Sequence, residues 1–255
     1  MNFSVYNYKI LPVSRVYSNF SPAINTYPLT HPYKDTFHSE NYLDKLLNRN
    51  VTDSIVEANP VIKRLLDSKN IKPKADIDNF NKTVRTHCIE TSNRAAAIYN
   101  FLPADLKSEA NLNYIKKGAE LHDIGKIFIP AEILNKNGRL TPKETEIVHL
   151  HSKLGEAMLA SQNIEPEVLN IVKYHHQNIH GSGYPEIKNS LSGYDINTQI
   201  TSLADKYTAL TERRAYKSAK SDKEALAMLK EEVNRGQINP RLFNALEGCI
   251  NNVKG

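Results

Sequence analysis

No apolar run in this chain approaches the roughly 20 residues that a membrane-spanning helix needs, so no membrane association is expected. The N-terminus lacks a charged stretch followed by an apolar one, so no secretory signal peptide is expected either. Cysteine is scarce: Cys88 and Cys249 make no spaced set, and a reduced, cytoplasmic compartment is the simple inference. Neither an internal repeat nor a convincing strand pattern can be found. The hydrophobic share of 40% is slightly low, yet 255 residues are enough for one good-sized core. A net charge of +5 suits an anionic ligand. That charge is spread along the chain, with only a modest cluster between Arg213 and Lys223, so a stable nucleic-acid partner is not expected.

What is present divides into three stretches. Residues 1–39 are rich in Tyr, Asn, Ser and Thr and are interrupted by Pro12, Pro22, Pro28 and Pro32, the composition of a disordered arm. Residues 40–76 form a helical lead-in segment, broken near Pro60 and closed at Pro73. Residues 77–255 read as an all-α domain. Its first helix is predicted over 76–102, with Phe80, Val84, Cys88, Ala95 and Ile98 on one stripe and His87 among them. A second is predicted over 108–122. Thr141, Pro142 and Glu144 mark the start of a third, as N-cap, first helical residue and capping-box carboxylate. This third helix carries Ile147, His151, Leu154 and Met158 on its apolar face. His149 lies about 200° around the helix from His151 and is predicted to face away from any site His151 serves.

A further helix begins at Pro166 and ends at His175-His176. The next, over 195–212, has an apolar stripe and an opposite face of Thr198, Thr201, Ser202, Asp205 and Thr208. A solvated face usually carries Lys and Glu, so this small polar face is expected to line a cleft. Two more helices, over 222–234 and 240–253, complete the chain.

The chemistry concentrates in Leu121-His122-Asp123-Ile124-Gly125-Lys126. The imidazole of His122 can hold one ion terminally, whereas the carboxylate of Asp123 has two oxygens and can bridge two. Gly125 is expected to leave the helix in a backbone conformation closed to other residues. Lys126 supplies a point charge for a phosphate oxygen. With His87, His151, His175, His176 and Asp205, the chain offers seven nitrogen and carboxylate ligands, more than one four-coordinate ion uses. Two ions sharing Asp123 would lower the pKa of a shared water and clamp the attacking and leaving oxygens of a phosphoryl centre. A His-rich set with few carboxylates and no thiolate disfavours magnesium and calcium and favours iron or manganese, with zinc also possible.

His122-Asp123 with Gly125-Lys126, His151-x-x-x-Gly155, His175-His176, Gly181-x-Gly183-Tyr184-Pro185, Ala204-Asp205 and Arg214-x-Tyr216-Lys217 together resemble the HD-GYP subgroup of HD-domain phosphohydrolases, over about residues 77 to 252. The resemblance implies an HD-domain helical bundle and phosphodiesterase activity on cyclic di-GMP through a bridging hydroxide activated by two divalent ions. It implies one ion on His87, His122, Asp123 and Asp205 and a second on Asp123, His151, His175 and His176. It also implies a substrate contact for Lys126, Gly183, Tyr184, Pro185, Arg214 and Lys217, with Asp123 and Lys126 as the catalytic pair. Gln177, His180, Thr208 and Ala215 depart from the usual Glu, Asp, Asp and Pro of the subgroup, and Thr83 stands where members with a third ion have Glu. None of these replaces a ligand of the binuclear set. The altered loop leaves two other readings open: another cyclic dinucleotide or nucleotide phosphate as substrate, or a silent module whose Gly183-Tyr184-Pro185 loop contacts signalling proteins.

Overall fold

The computed structural model describes residues 42–187, 194–212 and 219–252. The chain divides into two units, residues 1–39 and 40–255, and all described residues belong to the second. The arm expected over 1–39 therefore lies outside the described residues, as do Arg214, Ala215 and Lys217. Among the described residues the regular structure is helical throughout, without strands. No helix among them is long and apolar enough to cross a membrane.

The lead-in segment forms α1 (Tyr42–Leu46), α2 (Arg49–Ala58) and α3 (Pro60–Asp67). Asn59 explains the break at Pro60. Its side-chain oxygen accepts from the Val61 and Ile62 amides, and its Nδ2 donates to the Ala157 carbonyl at 2.7 Å. The helix predicted over 76–102 is two helices, α4 (Ile77–Thr83) and α5 (Arg85–Asn100). They break at Val84, where the Thr83 hydroxyl donates back to the Asn79 carbonyl at 2.7 Å, a bond that bends helices. The one predicted over 108–122 is also two, α6 (Ala104–Glu109) and α7 (Leu112–Leu121). Asn111 separates them, capping α7 by accepting from the Asn113 and Tyr114 amides.

Beyond α7 the chain tightens into a 3-10 segment, Ile124–Phe128, followed by the short α8 (Ala131–Leu134). The long α9 (Pro142–Ala160) begins with the expected capping box, Thr141 and Glu144 each bonding the other's backbone amide. Then come α10 (Pro166–Tyr174), α11 (Ile196–Thr211), α12 (Asp222–Asn234) and α13 (Pro240–Asn252).

Two apolar clusters form. One unites α1 to α4 with the 3-10 segment, α9 and α10; the other unites α6 with α11, α12 and α13. Both α5 and α7 contribute to each, through Cys88 and Leu121 on one side and through Ala95, Ile98, Ile115 and Ala119 on the other. Where α5 and α7 pass between the clusters, the buried residues turn polar: His87, Thr91, Ser92, His122 and Asp123. The polar face of α11 packs there too, with Thr198, Thr201, Ser202, Asp205 and Thr208 all buried. The candidate site is thus a polar seam between two hydrocarbon cores.

Gly125 serves this seam differently from the expectation. It is not among the positive-φ glycines, which are Gly138, Gly181 and Gly236. A Cβ on it would lie 2.0 Å from the His151 carbonyl oxygen and 2.6 Å from the Gly155 amide nitrogen. The glycine is required because the 3-10 segment presses its backbone onto that of α9, and backbone cannot move aside as a side chain can. Gly125→Ala should therefore cost about 3 kcal/mol, at the upper end of overpacking penalties. Thr141→Ala should cost about 1 kcal/mol, the usual loss of an N-cap. Denaturant midpoints of the two variants check the order; equal losses would contradict the close approach.

Candidate metal centre

Three histidines are oriented by one local device. The Nδ1–H of His122 donates to the Ala119 carbonyl at 2.7 Å, that of His151 to Val148 at 2.6 Å, and that of His175 to Val172 at 2.9 Å. Each acceptor lies three residues back on the same helix or at its end, so the tautomer is fixed and the Nε2 lone pair is left facing the seam. His122 and His175 occupy the C-cap positions of α7 and α10, while His151 sits within α9. All three side chains are fully buried.

The lone pairs converge on Asp123. Its Oδ1 lies 3.3 Å from His151 Nε2 and 3.9 Å from His175 Nε2; its Oδ2 lies 3.3 Å from His122 Nε2 and 3.9 Å from His87 Nε2. On the other side, Asp205 Oδ1 stands 2.9 Å from His87 Nε2 and 3.8 Å from His122 Nε2, and its Oδ2 is 3.9 Å from His176 Nδ1. The ligand atoms fall into two groups, Asp123 with His151, His175 and His176, and His87 with His122 and Asp205. All seven residues singled out in the sequence thus meet, although they come from α5, α7, α9, α10 and α11 and their flanks.

The donor set fits divalent cations. His122 Nε2 and Asp123 Oδ1 are buried without a hydrogen-bond partner among the described residues, which is costly for neutral packing. His151 Nε2 and His175 Nε2 face each other at 3.2 Å, and since each ring spends its proton on a carbonyl, two lone pairs are opposed. A cation between them turns that repulsion into coordination. Cys88 also approaches His122 and Asp123, but burial drives its thiol up, so it stays protonated and is no thiolate ligand.

Lys126 Nζ lies 2.6 Å from Asp123 Oδ2 and is one-fifth exposed, so it stands at the mouth of the seam with its charge on the shared carboxylate. Burial would raise the Asp123 carboxyl, but the Lys126 charge beside it outweighs that and holds the group well below the usual range. Burial likewise opposes ionisation of Asp205, and the His87 hydrogen bond overcomes it.

Glu212, at the C-cap of α11, was not singled out in the sequence. Its Oε2 lies 3.1 Å from His87 Nδ1 and orients that ring from the far side. Its spacing from Asp205, two helical turns along the same face, was the available signal. His149 is a correction. It is not in either ligand group, as expected, but it does not face away: its ring stacks on Tyr184 at 3.6 Å and 11°, and Tyr184 in turn stacks on His176 at 4.5 Å and 27°. The Gly183-Tyr184-Pro185 loop folds back over α10's end, so Tyr184 reaches the flank of α9 that the helical-wheel angle assigned to solvent. His180 stands apart from the ligands, its Nε2 3.3 Å from the Arg235 carbonyl.

Proton competition should differ between the two halves. Burial would lower His87, but hydrogen bonds to Asp205 and Glu212 raise it to about 9, so in the metal-free protein it is charged at neutral pH. Burial lowers His151 to about 4 and His175 to about 3, so these are already neutral. Coordination at His87 Nε2 must expel a proton. On uptake of two ions near neutral pH, His87 should thus contribute about one proton to the release, beyond any from bound water, and affinity at the His87 half should rise with pH until about 9. Calorimetric titration in buffers of different ionisation enthalpy reads this; His87→Ala should lower the release by about one proton.

Residues 81–242, more than half of the chain, match the family model of the HD domain. The 3'3'-cGAMP-specific phosphodiesterase 3 of Vibrio cholerae is 31% identical over 163 residues, 63% of this chain and 35% of that protein. The cyclic di-GMP phosphodiesterase response regulator RpfG of Xanthomonas campestris is 38% identical over 144 residues, 54% of this chain and 37% of that protein. The aligned stretches make up about a third of the length of these curated relatives. Among solved structures, Bd1817, an HDG"Y"P protein from Bdellovibrio bacteriovorus, has the same fold, with a TM-score of 0.55 at 16% identity over 84% of this chain and 69% of that one. With the HD-domain match running from the end of α4 into α13 and His122-Asp123 at the centre of the histidine cluster, the chain belongs to the HD-domain family.

Proposed function

We propose that this chain is a metal-dependent phosphodiesterase that hydrolyses a cyclic dinucleotide, with cyclic di-GMP as the first substrate. The observation that carries the proposal is the position of Asp123, whose two oxygens are shared between two groups of histidine nitrogens. Two divalent ions, iron or manganese before zinc given the nitrogen-rich donors, would supply Lewis acidity and an activated water at the phosphorus. His87, His122, Asp123 and Asp205 would hold one; Asp123, His151, His175 and His176 would hold the other. Asp123, with one oxygen toward each group of nitrogens, would orient the attacking water. Lys126 exchanges its contact with Asp123 for a non-bridging phosphate oxygen and holds the charge that grows there in the transition state. Gly183, Tyr184, Pro185, Arg214 and Lys217 complete the substrate contacts; the last two lie outside the described residues. A second substrate, 3'3'-cGAMP, is favoured by the similar identity of the chain to a relative named for that dinucleotide.

Turnover on a panel of cyclic dinucleotides, measured together with metal content, tests this reading. Lys126→Ala should keep both ions and slow hydrolysis by roughly 10²–10³, the range for loss of one preorganised transition-state donor. Asp123→Ala should lose metal as well as activity. A wild type that binds two ions and the dinucleotide yet cleaves no member of the panel would leave a receptor or partner-binding module instead.

A further inference from the structure

Among the imidazoles of the cluster, His176 is the exception in how it is held. His122, His151 and His175 are fixed by their own backbone carbonyls, and His87 by Glu212. The Nδ1 of His176 is 3.9 Å from Asp205 Oδ2, beyond hydrogen-bonding distance, and its side chain is about a quarter exposed where the other three of its group are buried. A ligand ring with no hydrogen bond behind it among the described residues can rotate, and rotation takes its lone pair off the ion.

Its restraint is a stack of three rings. Tyr184 covers His176 at 4.5 Å and 27°, and His149 covers the far face of Tyr184 at 3.6 Å and 11°. The backbone carrying Tyr184 is fixed on both sides by one side chain. Gln177 Oε1 accepts from the Gly183 amide at 3.0 Å, and Gln177 Nε2 donates to the Pro185 carbonyl. Gln177 is buried, and Gly183 makes the approach feasible, since a Cβ there would lie 2.1 Å from the His176 carbonyl oxygen. The two bonds need an acceptor and a donor in one side chain. An amide has both, whereas a carboxylate at this position could satisfy only the first.

We infer that His149 and Gln177 are positioning residues of the second metal half-site: through Tyr184 they hold the His176 ring in its ligating orientation. This rests on the two-ion reading above, and it assigns a role to two residues outside the ligand set. It also means that both faces of Tyr184 are covered, so a nucleobase meets that residue at its edge or hydroxyl rather than by stacking on it.

Titration of the metal-free full chain with Mn²⁺, with stoichiometry and both affinities read by calorimetry, tests the inference. His149→Ala and Gln177→Ala should each weaken one of the two ions by about tenfold or more, the usual effect of losing support behind a ligand, and leave the other unchanged. His149→Phe, which keeps a flat ring against Tyr184, should restore wild-type affinity. Gln177→Glu should fall between wild type and Gln177→Ala, because it keeps the bond to Gly183 and loses that to Pro185. Two ions bound with wild-type affinity in all four variants would overturn the positioning role and leave the two-ion reading standing. A wild type that takes up a single ion would overturn both. Failure of His149→Phe to rescue would reduce His149 to general packing and overturn its assigned role.

Discussion

Everything in this site depends on where three imidazole protons go. Because His122, His151 and His175 each give Nδ1–H to a carbonyl three residues earlier, their Nε2 atoms are left as directed lone pairs in a buried space. A helix supplies that carbonyl at no extra cost, since the last carbonyls of a helix lack intrahelical partners. His122 and His175 use this freedom at the ends of α7 and α10. His151, inside α9, shares a carbonyl with the helix itself. The result is a set of acceptors aimed at one carboxylate, which is unfavourable for the bare protein and favourable around cations.

The fold keeps this arrangement from collapsing by placing it between two hydrocarbon cores. Neither core has to absorb the polar groups, because α5 and α7 cross from one to the other and carry His87 and His122 at the crossing. The charges are offset locally: Lys126 neutralises Asp123 from the open side, and His87 lies between Asp205 and Glu212. Removing one partner of such a buried pair leaves an uncompensated charge, which costs more than the intact pair contributes. Gly125, pressed against His151 and Gly155, sets the spacing between the two halves.

Much of this was legible in the sequence. Histidines on apolar stripes, a His-Asp pair at a helix end and one carboxylate on a face of Ser and Thr all pointed to a shared site, and all seven ligand candidates converge. Helix existence was readable from periodicity and caps, as at Thr141. What failed had physical reasons. The breaks at Val84 and Asn111 preserve the apolar pattern on both sides, so periodicity runs straight through them. Gly125 is indispensable for a contact with a distant backbone, which no local pattern records. His149 was assigned from its angle on α9 alone, whereas its neighbour Tyr184 arrives from a loop after the next helix. Glu212 acts from behind the candidate ligand His87, and a lone carboxylate at a helix end is ordinary in any sequence.

The central claim is that two ions share the Asp123 carboxylate, and electron paramagnetic resonance of the Mn²⁺-loaded full chain addresses it most directly. Ions bridged at roughly 3.5–4 Å are exchange-coupled. The account predicts a coupled two-manganese signal at two equivalents, replaced in Asp123→Ala by an uncoupled signal at lower stoichiometry. Two magnetically isolated ions in the wild type, or a coupled pair that survives Asp123→Ala, would contradict it.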